Sequence, residues 1–133
     1  MNAIVVVVNY QTPSLCIQCL NSLIYFDKNG LKIESLIIDN NSKDDSLESL
    51  HNWQKSIPQS DCFKLIPSGA NNGFSSGNNI GIKASNSEFL LLLNSDTIVR
   101  PGAIELLVKT LRDNPEMGMA SPRLEWTDGT PQE

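Results

Sequence analysis

Residues 88–101, EFLLLLNSDTIVRP, constrain the fold more tightly than any other stretch of the chain. Phe89, Leu90, Leu91, Leu92 and Leu93 follow one another with no polar residue between them. An unbroken apolar run of this length predicts a strand covered on both faces, as in a parallel sheet. It stops abruptly at Asn94, Ser95 and Asp96. Open α/β sheets bind ligands in the crevice beyond the carboxyl ends of their strands, which makes Asp96 the candidate centre of a site. Pro101 suits the first turn of a helix that follows.

The same grammar recurs along the chain. Residues 4–8 (IVVVV) read as a central strand ending in the polar Asn9, Tyr10, Gln11 and Thr12. Thr12 is a candidate helix cap and Pro13 a first helical residue, with Cys16, Leu20, Leu23 and Ile24 forming one buried face. Residues 33–38 form the next strand, closed by Asp39, so a second acid stands directly after a buried run. Ser42 is expected to cap the following helix, with Asp44 and Asp45 in its first turn and Leu47, Leu50 and Trp53 facing the sheet. Residues 62–67 give a short strand towards one edge. Ile104, Leu107, Val108 and Leu111 mark a further helix, residues 117–121 a further strand, and Asp128-Gly129 a turn. Strands alternating with helices predict a three-layer α/β/α fold around a mostly parallel, Rossmann-like sheet.

Composition narrows the function. At 133 residues the chain is long enough for one domain with a real core. A formal charge of −5 with scattered Lys and Arg offers no basic stripe and argues against a nucleic-acid partner. No apolar segment reaches the roughly 18–20 residues of a membrane span. The amino terminus lacks the basic start and small-residue cleavage site of a signal peptide, which points to a cytoplasmic chain, with peripheral membrane association left to other parts. Cys16 and Cys19 have redox-motif spacing, but no second pair accompanies them and the only histidine is His51. They read as small hydrophobes of a helix.

Residues 68–81, SGANNGFSSGNNIG, form a polar glycine- and asparagine-rich loop that passes into a helix over roughly residues 75–85. Gly73 and Gly77 would let backbone approach a ligand closely. Neither a P-loop lysine nor the dinucleotide Gly-x-Gly-x-x-Gly pattern is present.

Taken together, residues 4–11 (IVVVVNYQ), 36–42 (LIIDNNS), 71–82 (NNGFSSGNNIGI) and 89–101 (FLLLLNSDTIVRP), with 121–130 (SPRLEWTDGT) after them, resemble the N-terminal part of the family-2 glycosyltransferases. The resemblance implies a truncated nucleotide-diphospho-sugar transferase fold, with transfer of a sugar from a nucleotide-diphosphate donor to a saccharide or lipid-linked acceptor, by inversion, in cell-surface polysaccharide synthesis. It also implies roles for individual residues. Asn9 and Tyr10 would line the nucleobase pocket and Asp39 would contact base or ribose. Asn72, Gly73, Asn78 and Asn79 would close over nucleotide and sugar. Asp96 would be the last acid of the family's Asp-x-Asp motif, holding Mg²⁺ or Mn²⁺ on the diphosphate. Asn94 stands where many members have the first Asp, and Asn78 where many have arginine, a pattern similar to the rhamnosyltransferase-like branch.

A lone carboxylate is sufficient for such an ion when substrate phosphates and water complete the shell. Inverting transfer needs a base for the acceptor hydroxyl, and the resemblance places that acid beyond Glu133. The chain is therefore expected to hold the donor-binding half, and an unpaired sheet edge predicts a homo-oligomer. Two other classes fit the βαβ pattern: a receiver- or flavodoxin-like module, and a non-catalytic interaction protein derived from a transferase.

Overall fold

The computed structural model describes residues 2–24 and 30–133. They fall into two compact units, residues 1–99 and 100–133.

The first unit is built on a four-stranded parallel sheet in the order β3-β2-β1-β4, from β1 (Asn2–Asn9), β2 (Lys32–Asp39), β3 (Phe63–Pro67) and β4 (Phe89–Asn94). Residues 33–38, 62–67 and 4–8 thus fold as their apolar runs predict. From Ala3 to Asn9, β1 is buried except at half-buried Ile4, and its valines pack on both faces. Side chains alternate between faces along a strand. Ile4, Val6 and Val8 therefore share one face with Leu36, Ile38 and Ile66, where Ile80 packs on them.

That face is covered by α3 (Phe74–Ala84), which lies so close that two of its residues have no room for a side chain. A Cβ on Gly77 would stand 2.9 Å from Val8 Cγ1, and one on Gly81 would press still harder on Val6. Gly77 therefore serves helix–strand packing, which corrects its expected role of admitting a ligand. The opposite face carries α1 (Pro13–Asn21) and α2 (Ser46–Ser56), which bury Cys16, Cys19, Leu20, Leu50 and Trp53. Trp53 meets Phe63 edge to face at 5.1 Å between centroids.

Several expectations need correction. β4 lies at one side of the sheet, and its residues alternate between half-buried and exposed, with Leu90 and Leu92 39% and 47% accessible. Five consecutive apolar residues therefore do not mark a strand covered on both faces here, because α3 sits over β1 and β2. Ser42 does not cap α2. That helix starts at Ser46 behind Asp45, and Leu47 faces outward while Leu50 and Trp53 turn in. Thr12 occupies the cap position of α1 without a side-chain capping bond.

The second unit holds α4 (Ala103–Asp113), which buries Ile104 and Val108 and half-buries Leu107 and Leu111, as their spacing predicts. Pro101 precedes this helix, and Gly102 at φ 83° sets its entry. Residues 117–121 are not a strand, and Met119 is 86% exposed. The apolar letters there alternate with Gly118 and meet no partner strand among the described residues. The Asp128-Gly129 turn forms, with Gly129 at φ 86° and its N–H donating to Trp126 O at 2.9 Å. Glu125 bridges Pro131 and pairs with Arg100 at 2.8 Å and with Arg123.

Gly81→Ala gains about 1 kcal/mol of helix propensity. It forces α3 off Val6, an overpacking cost of about 1–3 kcal/mol or more. A net loss of stability in urea unfolding is expected, with the exposed Lys83→Ala nearly neutral as the control.

Candidate functional site at the carboxyl ends of the strands

The parallel register brings the two acids to the same edge of the sheet. Asn9 of β1 pairs with Asp39 of β2, and Val8 of β1 pairs with Asn94 of β4. The strands that carry the acids are thus not adjacent to each other; they flank β1.

Asp39 is fully buried. Its Oδ1 accepts from Asn9 Nδ2 at 2.9 Å and from Ser42 Oγ at 2.7 Å, and its Oδ2 accepts from the Ser42 N–H at 3.0 Å. Three short bonds from neutral donors replace the water a buried carboxylate would otherwise need. Ser42 Oγ also accepts from the Gln11 N–H at 2.9 Å, which holds the turn after β1 at its left-handed residue, Gln11, φ 54°. Asn9, itself fully buried, accepts from Thr12 Oγ1 at 3.4 Å. Asp39, Asn9 and Thr12 therefore form a hydrogen-bonded line from the interior to the surface.

Thr12 opens onto a cleft of about 250 Å³ that it shares with Val8, Leu15, Phe74, Asn94, Ser95 and Asp96. Asp96 and Asn94 are exposed on it. One wall is apolar, from Val8, Leu15 and the half-exposed Phe74, and among the described residues no Lys or Arg is part of the lining. Among the described residues no group of three or more His, Cys, Asp or Glu comes together as a cage for a metal ion. Oxygen donors from Asp96, Asn94 and Ser95 nonetheless suit a hard divalent cation that keeps its waters and takes phosphate oxygens from a ligand.

The asparagine-rich segment is tied to the end of β2. Asn40 Nδ2 donates to Asn71 Oδ1 and to Gly73 O, both at 3.0 Å. Gly73, at φ 92°, then starts α3. Asn78 is 4% exposed; its Nδ2 donates to Phe74 O at 3.2 Å, and its Oδ1 has no partner among the described residues. Asn72, Asn79 and Tyr10 are exposed. Of the residues singled out in the sequence, Asn94 and Asp96 line the cleft, whereas Asp39, Asn9 and Asn78 lie inside the fold. Thr12, Leu15, Phe74 and Ser95 were not anticipated as lining residues. Leu15 falls off the buried face of its helix and Phe74 follows a positive-φ glycine, two signals that an apolar side chain is free to face a ligand.

Cys16 and Cys19 are both fully buried, as their reading as small hydrophobes requires. Burial, with Cys19 and Asp39 nearby, pushes the Cys16 thiol up to about 12. Burial also raises Cys19, although hydrogen bonding to Thr97 opposes the rise.

Residues 4–131 match the family model for Glycosyl transferase family 2. The chain belongs to that family. It is 27% identical over 93 residues to a poly-beta-1,6-N-acetyl-D-glucosamine synthase of Staphylococcus epidermidis, a match covering 68% of this chain and 22% of that protein. Its fold is similar to that of the mannosyltransferase PcManGT from Pyrobaculum calidifontis in complex with GDP-Man and Mn²⁺. There the TM-score is 0.74 and the identity 18%, over 84% of this chain and 32% of that one. It is also similar to S. aureus TarS 1-349 in complex with UDP-GlcNAc, with a TM-score of 0.73 and 19% identity over 96% of this chain and 38% of the other. The chain thus spans between about a fifth and two fifths of the length of these relatives.

Two outcomes are expected. Asp39→Ala strands the Asn9 amide and both Ser42 donors, and should cost roughly 2–4 kcal/mol in chemical unfolding. In the native protein at pH 8, iodoacetamide should alkylate the half-buried Cys62 and spare Cys16 and Cys19 until denaturant is added, as read by peptide mass.

Proposed function

We propose that this chain is the donor-binding part of a glycosyltransferase that takes a sugar from a nucleotide diphosphate, with Asp96 as its metal ligand. The observation that carries this reading is the exposed Asp96 carboxylate on a cleft whose described lining holds no cationic side chain, at the carboxyl edge of the sheet of a family-2 chain. Among the described lining residues the only charge a diphosphate would meet is that of Asp96, and a shared cation would offset the repulsion. Mg²⁺ or Mn²⁺ bound between Asp96 and the diphosphate would neutralise charge on the leaving group.

The chain's own residues supply the frame. Asn94 and Ser95 offer neutral oxygens beside Asp96. Leu15 and Phe74 would shield one side of a bound ligand from water, and the Asn40 latch fixes Gly73 at the start of α3. The main chain around Asn9 and Tyr10, at the end of β1, would line the base pocket, and the exposed part of the segment 71–79, with Asn72, Gly73 and Asn79, would close over nucleotide and sugar, with the buried Asn78 beneath it. For Asp39 to accept from a base N–H or a ribose hydroxyl, the ligand must use a remaining lone pair or Ser42 must yield one.

No described helix is long and apolar enough to cross a membrane. The proposed setting is the cytoplasmic side, peripheral to the inner face of the membrane. That setting and a saccharide or lipid-linked acceptor are in keeping with the polysaccharide synthase among the relatives. Self-association through β4 is also part of the proposal, since no charge or proline guards its outer edge and Leu90 and Leu92 are exposed on one face of the strand.

Titration calorimetry with UDP, GDP and dTDP, each with and without Mn²⁺, tests the central claim. At least one nucleotide should bind with metal and not without it, and Asp96→Ala should abolish that binding. Binding of none of the three would favour an interaction module. Light scattering should give a dimer or larger species, and a uniform monomer would remove the β4 contact.

A further inference from the structure

The loop that presents Asp96 is tethered at both ends to the last turn of α1. At its entry, Asn94 O accepts from Thr97 Oγ1 at 2.7 Å and from the Thr97 N–H at 3.3 Å, and the Cys19 thiol points at the same oxygen from 3.6 Å. At its exit, the Val99 N–H donates to Ser22 Oγ at 3.0 Å. Ser22 spends its single hydroxyl proton on Cys19 O at 2.5 Å, which leaves its lone pairs for Val99. Cys19 thus acts at both ends, by its thiol at the entry and by its carbonyl, which orients Ser22, at the exit.

The anchor is itself fixed. Asn21 Oδ1, one residue before Ser22, accepts from Trp53 Nε1 at 2.8 Å, and this ties the end of α1 to α2. Trp53 is 8% exposed and packs on Phe63 at the foot of β3. A continuous line of contacts therefore runs from the interior to the loop. Between the two tethers only residues 95–98 are left to adapt.

We propose that Ser22 is the positioning residue of the candidate cation site: by holding Val99 it fixes the short loop from which Asp96 offers its carboxylate. The inference rests on the proposed function and adds to it a residue outside the cleft. A site with a single carboxylate, whose neutral oxygens from Asn94 and Ser95 adjoin it in the chain, has no second charged ligand on another element to recover the geometry if that loop wanders. Freeing about one residue of backbone would have to be reversed at each binding event, a loss of about tenfold in affinity for the cation.

The test compares wild type with Ser22→Ala, Ser22→Thr and Asp96→Ala. Mn²⁺ is titrated at fixed UDP, GDP or dTDP, and amide hydrogen exchange over residues 94–99 is followed without ligand. Ser22→Ala should raise the Mn²⁺ concentration for half-maximal nucleotide binding about tenfold and speed exchange at Val99. Ser22→Thr, which keeps the hydroxyl, should restore both. Wild-type Mn²⁺ dependence in Ser22→Ala, or a loss that Ser22→Thr does not repair, overturns the inference while leaving the proposed function standing. If wild type binds no nucleotide with Mn²⁺, both fall together.

Discussion

β1 is hydrogen-bonded along its length to a parallel neighbour on each side, and everything else in the first unit is referred to it. Its register fixes which residues of β2 and β4 reach the carboxyl edge side by side. Because side chains alternate, a slip of one residue would exchange the two faces of a strand. It would carry Asn9 away from Asp39 and bring the small contact surface of α3 against the other valines. Val5 and Val7 would offer Gly77 and Gly81 the same side chains as Val6 and Val8, so the valines do not choose the register; the buried Asn9–Asp39 bond does. The polar arrangement on the rim thereby fixes which face of the sheet α3 covers.

The buried acid shows how such a rim is made tolerable. Among the described residues no cation pairs with Asp39. It is held by an amide, a hydroxyl and a backbone N–H, all close to ideal length. Those partners are the turns after β1 and β2, so neutralising the cost of a buried carboxylate and shaping the two loops are the same set of bonds. Asp96 has the opposite character, exposed on a short loop and available to a ligand. Two acids that look alike in the sequence, each directly after an apolar run, therefore do different work: one organises and the other presents.

Much of this was legible in the letters. The apolar runs of β1, β2 and β3, the helical spacing of Cys16 and Leu20 and of Ile104 and Val108, and the polar residues at strand ends gave the α/β alternation and pointed to the right edge. What the letters did not carry was two-sidedness. FLLLL reads as doubly buried, yet cover depends on where α3 lies, and α3 lies over β1 and β2. Ser42 looked like a cap because serine before an acid-rich turn usually is one, and Asp39 competed for it successfully. Phe74, Leu15 and Thr12 escaped notice because a cleft wall is assembled from three segments whose proximity is a tertiary fact. Ser22 gave no signal, since a serine at a helix end is unremarkable until its hydroxyl is seen to hold a distant strand's exit.

The two margins of the sheet differ in chemistry. β3 bears a charged Lys64 and ends in Pro67, which has no N–H to offer, whereas β4 is neutral and leucine-rich throughout. Stacking one molecule's β3 onto the next one's β4 would set that proline and that ammonium group against leucines. Growth in a single repeating direction, the geometry of a filament, is therefore discouraged. In the proposed self-association, joining two β4 margins covers both and leaves a β3 margin, ending in Pro67, at each outer end, so that assembly stops at two copies.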